Sequence, residues 1–91
     1  MSDFAVFHKP TVMDDGFISL PMSAKALYFI LGINTDSDGD CNCPKAMARL
    51  IGATDEDLNL LKQRKYIEDK EMPTGFLGVH VYGAIELEDR T

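Results

Sequence analysis

The feature that most constrains this chain is the stretch 44–67, PKAMARLIGATDEDLNLLKQRKYI, which reads as two short amphipathic helices hinged at Gly52-Ala53-Thr54. Pro44 suits a first helical turn, where its missing N–H leaves nothing unsatisfied. Met47, Leu50 and Ile51 recur at i, i+3 and i+4, the spacing of one helical face. Gly52 can take the left-handed conformation that ends a helix. Thr54 then offers an N-cap, and Asp55, Glu56 and Asp57 place anions in the first turn, where the helix dipole favours them. Leu58 and Leu61 continue one apolar face, with Leu60 beside it. Two helices joined by a tight glycine-containing turn make a helix-turn-helix. The spacing alone fits an ordinary αα-hairpin equally well.

The rest of the chain supplies what such a pair would pack against. Residues 1–13 contain Phe4, Val6 and Phe7 and read as an N-terminal extended segment. Asp14 and Asp15 precede Gly16-Phe17-Ile18 as a capped turn, and Ser23 offers an N-cap for AKALYFILGI. Ala24, Leu27, Tyr28, Leu31 and the Phe29-Ile30 pair make that helix apolar around much of its circumference, which marks it as the central core helix. The polar run 34–40, NTDSDGD, is a loop, and Cys41-Asn42-Cys43 fits a short edge strand. Segments 66–71 and 76–82 alternate on either side of Met72-Pro73-Thr74-Gly75, the pattern of a β-hairpin. The expected fold is therefore α+β, a winged helix with a three-helix helix-turn-helix core and a β-hairpin wing spanning 14–82. The remaining 83–91 form an acidic tail, frayed or used for contacts outside the domain.

A length of 91 residues suits one small domain. No apolar run approaches the roughly 18 residues of a membrane span, and the N-terminus lacks a signal-peptide pattern, so a cytoplasmic protein with no membrane contact is expected. Two closely spaced cysteines, Cys41 and Cys43, suit a reducing compartment and read as packed strand residues. With His8 and His80 they depart from zinc-ligand spacing. Aligned as a calcium loop, Asn34, Asp36 and Asp38 would fill the early positions, but Lys45 falls where a bidentate glutamate is required. There is no phosphate-cradling glycine loop, nucleophile elbow or metalloprotease histidine pair, so neither an enzyme nor a cofactor is expected. The formal net charge of -6, from 15 acidic against nine basic residues, opposes simple nucleic-acid binding, which draws much of its affinity from neutralised phosphates.

The run from Phe17 to Ile67 resembles the N-terminal domain of phage replisome-organiser and replication-initiation proteins, which is related in architecture to the N-terminal domain of the primosome protein DnaD, and the resemblance extends in collinear order over roughly residues 4–80. The likeness is carried by Leu20-Pro21 with Ser23-Ala24-Lys25-Ala26-Leu27-Tyr28, by Asp38-Gly39, by Pro44-Lys45, and by Arg49-Leu50-Ile51-Gly52-Ala53 leading into Asp57-Leu58. It implies a winged helix that works in opening replication, binding DNA or replisome proteins such as a helicase loader, or associating as a homodimer. The sequence departs from that pattern after the wing. Where relatives carry a His-Trp pair and a basic stretch, this chain has His80-Val81-Tyr82 and then Gly83-Ala84-Ile85-Glu86-Leu87-Glu88 before Asp89-Arg90.

On a DNA-binding reading, the second helix of the pair enters the major groove. Its outward stripe is Asp55, Glu56, Asn59, Lys62 and Gln63, of which Asn59 and Gln63 are of the type that reads adenine. Lys62, Arg64 and Lys65 form the dense basic cluster that would hold phosphate, helped by Lys70 in the wing and by Lys45 and Arg49 on the preceding helix. The competing readings are a winged helix that self-associates or docks protein without touching DNA, and a transcriptional regulator.

Overall fold

In chain order, the computed structural model, which describes residues 4–86, forms β1 (Ala5–Phe7), α1 (Lys9–Val12), α2 (Asp15–Ile18), α3 (Met22–Ile33), β2 (Asp40–Cys41), α4 (Pro44–Ile51), α5 (Asp55–Gln63), β3 (Ile67–Glu71), β4 (Leu77–Val81) and β5 (Ala84–Glu86). The architecture is α+β. Two antiparallel sheets are present among the described residues, one of order β2-β4-β3 and one pairing β1 with β5. The radius of gyration of 12.5 Å is that of a compact chain of this length.

Helix α3 is the centre because its apolar positions wrap most of its surface. Ala24, Leu27, Tyr28 and Leu31 are fully buried, and they meet Leu58 and Leu61 from α5, Ile67 from β3, and Val79 and Val81 from β4 in one cluster. Burying each leucine contributes about 1.5–3 kcal/mol, so this shared interior is the main force holding helices to hairpin. Aromatic edges extend it: the Tyr28 ring lies 5.0 Å from Phe17 and 6.1 Å from Phe7, centroid to centroid. Such tilted and edge-on pairs add to simple burial.

The α4–α5 turn follows its local chemistry. Pro44 opens α4, and Gly52 ends it at φ 77, with the Ala53 N–H reaching back to the Ala48 carbonyl at 2.8 Å. Thr54 and Asp57 form a reciprocal capping box: the Thr54 N–H donates to Asp57 Oδ2 at 3.1 Å and the Asp57 N–H to Thr54 Oγ1 at 3.3 Å. The hairpin pairs Ile67 with Val81 through Glu71 with Leu77, and β2 adds to its far side with Cys41 opposite Val79. Cys41 is buried in the core, and burial pushes its thiol up to about 11.

Four local expectations are corrected. Helix α3 begins at Met22 with Pro21 as N-cap; the Pro21 carbonyl accepts from Lys25 N–H at 3.0 Å, a role that needs no donor from the proline itself. Ser23 instead donates its hydroxyl to Asp57 Oδ1 at 2.9 Å, tying α3 to the start of α5. Leu50 is 73% exposed, because close packing of α4 selects Pro44 and the small Ala48 as its inner face, with Met47 and Ile51 flanking. The N-terminal segment is more than extended chain, since a short helix, α1, follows β1.

The fourth correction concerns the tail. Residues 84–86 are not frayed: Ala84 is buried, and β5 pairs with β1 in the register Ala5 with Glu86 and Phe7 with Ala84. The pairing is seated on the core by Phe7, whose ring lies 5.2 Å from that of Phe29, and by Gly32, which leaves room for it on α3. Residues 87–91, the rest of the expected tail, lie outside the described residues.

Candidate functional site

The capping box turns Asp57 inward and leaves Asp55, Glu56, Asn59 and Gln63 exposed on α5. The first half of the outward stripe is therefore acidic. At the other end of the helix the chain closes in a Schellman turn: the Tyr66 N–H bonds the Leu61 carbonyl at 2.9 Å and the Lys65 N–H bonds that of Lys62 at 3.0 Å. This turn holds Lys65 at φ 65, a left-handed conformation that a side chain bearing a Cβ adopts only with strain.

The expected basic residues lie on α4, at the C-terminal end of α5 and on β3. Lys62 Nζ is 2.9 Å from Asp69 Oδ1 on β3, and Lys70 Nζ bonds Asp40 Oδ2. Two of the cations assigned to phosphate are thus paired within the protein. Lys45 and Lys62 border one groove, with Phe76 and Leu77; Asn59 and Gln63 line a separate depression with Glu56; Lys70 stands beside Asp36 and Asp38. Arg49, Arg64 and Lys65 are exposed, the last two at the C-terminal end of α5.

Asp40 is the polar centre that sequence reasoning did not find. Only 5% exposed, its carboxylate takes Lys70 on one oxygen and His80 Nδ1 on the other at 2.7 Å. Burial pushes the carboxyl up, but the hydrogen bonds from Lys70 and His80 outweigh it and hold the group below the usual range. The ring of His80 stands edge-on to Tyr82 at 4.7 Å, and the Tyr82 hydroxyl donates to the Glu68 carboxylate. Local signals could not have flagged this arrangement, because Asp40 and His80 meet only through the pairing of β2 with β4.

Asp36, Asp38 and Asp40 form a cluster of acids whose oxygens lie within 4.8 Å of one another. Their geometry is that of a loop turn: Asp36 Oδ1 accepts from the N–H groups of Asp38 and Asp40 at 2.9 and 3.0 Å. Asp40 is already neutralised by Lys70.

Comparison of the chain with protein-family models, with curated proteins and with solved structures found no match. Function therefore rests on the surfaces themselves. Among the described residues no helix is long and apolar enough to cross a membrane. Large apolar side chains are exposed at several places, Met13, Met22, Ile33 and Leu50 among them, and two further sets lie on the ribbon and the hairpin. On the β1–β5 ribbon, Val6 and Ile85 face each other across the pairing and are 41% and 45% exposed. At the hairpin tip, Phe76 and Leu77 are 73% and 62% exposed.

Proposed function

We propose that the chain is a winged-helix interaction module of the phage replication-initiation type, which associates with itself and with replisome proteins and is not an enzyme. In this reading α3, α4 and α5 are the three helices, β2 is the short strand between the first two, and β3–β4 is the wing. The observation that carries it is a contrast of surfaces. Lys62 and Lys70 are tied to Asp69 and Asp40, whereas Val6 and Ile85 present apolar surface on a two-stranded ribbon. An edge strand with apolar flanks is a template for antiparallel pairing with a second copy across a two-fold axis.

Light scattering or sedimentation over a concentration series tests the reading. A dimer that forms with concentration and is lost in Val6→Lys supports it. A strict monomer at every concentration overturns self-association.

DNA contact is the second reading, favoured by Arg64 and Lys65, which are exposed at the end of α5 beside Asn59 and Gln63. Titration of labelled single- and double-stranded DNA at about 50 mM salt tests it, since phosphate-driven binding weakens steeply as salt rises. No binding at low salt removes this reading and leaves the first intact.

A further inference from the structure

We propose that the groove between the first turn of α4, α5 and the hairpin tip docks an acidic peptide segment of another protein, one large apolar side chain entering the groove and a neighbouring carboxylate meeting Lys45. The groove has a volume of about 320 Å³, at the lower end of the range of ligand-binding clefts. Pro44 and Leu58 line it, and Phe76 and Leu77 border it from the hairpin. Phe76 and Leu77 are among the most exposed large apolar side chains of the described residues, so covering them removes apolar surface from water.

Charge identifies the occupant. Lys45 is exposed at the groove, and Lys62 lies there in an ion pair with Asp69 whose partners are 34% and 50% exposed. Lys62 is thus already paired, and Lys45 is the groove cation left to meet an incoming carboxylate. With Asp69 counted, the lining carries a net positive charge in a protein of formal charge -6. The first turn of α4 also faces the groove, and its N-cap residue Cys43 makes no side-chain cap hydrogen bond. Single-stranded nucleic acid fits less well. It needs a row of cations along its backbone, and this groove offers two lysines with an aspartate between helix and strand. The groove and the β1–β5 ribbon share no residue, so the peptide site stands or falls apart from self-association.

The probes are acetylated, amidated hexapeptides with Phe or Leu set among Glu and Asp, compared with a series in which Lys replaces the acids. Amide NMR of the full chain follows each titration up to about 1 mM. The expected result is saturable shifts at Leu58, Leu77 and Gly78 with the acidic series only. Lys45→Glu weakens that binding roughly fivefold or more, since an ion pair is lost and a repulsion added. Phe76→Ala weakens it through lost apolar contact, and both side chains are exposed, so circular dichroism of the variants should match the parent. Three results overturn the proposal: no saturable shift with any acidic peptide, equal affinity in Lys45→Glu, or tighter binding of an oligothymidylate at the same residues, which would make the groove a nucleic-acid site.

Discussion

Replacing Tyr28 by phenylalanine tests how β5 is held to α3. The Tyr28 side chain is fully buried, and its hydroxyl donates to the Tyr82 carbonyl at 2.5 Å, immediately before the Gly83 turn into β5. Tyr28→Phe keeps the ring and its aromatic neighbours but removes the donor. Leaving a buried acceptor without its partner costs about 1–3 kcal/mol. At roughly 4–8 °C per kcal/mol for a domain of this size, the melting midpoint should fall by at least about 4 °C at neutral pH.

A second readout has an independent cause. Burial, helped by the nearby Tyr66, raises the Tyr28 phenol from 10.0 to about 12. The folded chain then holds this proton more tightly than the unfolded chain. Stability from this group is complete below pH 10.0 and is lost as pH rises toward about 12, because the unfolded phenol ionises first. At about 1.4 kcal/mol for each tenfold change in proton affinity, the loss is roughly 2–3 kcal/mol. Tyr66 is raised by burial and Tyr82 by its hydrogen bond to Glu68, so the variant should show a shallower alkaline decline rather than none. Thermal melts from neutral pH into the alkaline range measure both effects. A variant that melts within about 1 °C of the parent and keeps the same alkaline slope would refute the reasoning.

Gly32→Ala should lower stability by about 1–3 kcal/mol, although alanine is the better helix former, because its Cβ would meet the Phe7 ring and come within 3.1 Å of the Ala84 Cβ. A stabilised variant in denaturant titration would mean that β1 is not seated on α3. Lys65→Gly should raise stability by roughly 0.5–1 kcal/mol by relieving the left-handed strain at φ 65, measured by the midpoint of urea unfolding. Asp40→Asn should flatten the acid limb. The Asp40 carboxyl is held below its ordinary 3.8, so its contribution is present above that pH and is lost as pH falls through the lower folded value. Melts from about pH 5 downward should therefore separate parent from variant at the high end and bring them together at the low end.

What was legible in the sequence was local. Pro44, Gly52 and the Thr54 N-cap mark helix ends through chemistry that spans a few residues, and each is found where that chemistry requires. The hairpin was legible for the same reason, since alternation and a Pro/Gly turn lie side by side in the chain. Leu50 and Ala48 show the limit: helical spacing identifies a face, but its phase is set by how closely another helix approaches. The candidate site suffered most. The pairing of Lys62 with Asp69 and of Lys70 with Asp40 depends on elements brought together by folding, so the sequence did not show which cations carry an acidic partner. The β1–β5 pairing was invisible because three-residue strands carry little pattern and their partners lie at opposite ends of the described chain.

That pairing has a kinetic consequence. Joining Ala5 to Glu86 closes nearly the longest loop the described chain allows, and its entropic cost is repaid only after the core has brought the two ends close. The ribbon should therefore zip last and open first, while the helices and hairpin stay folded. Hydrogen exchange at Val6 and Ile85 should report this local opening, at a free energy below that of global unfolding, whereas amides of Leu61 and Val81 exchange only when the whole domain unravels.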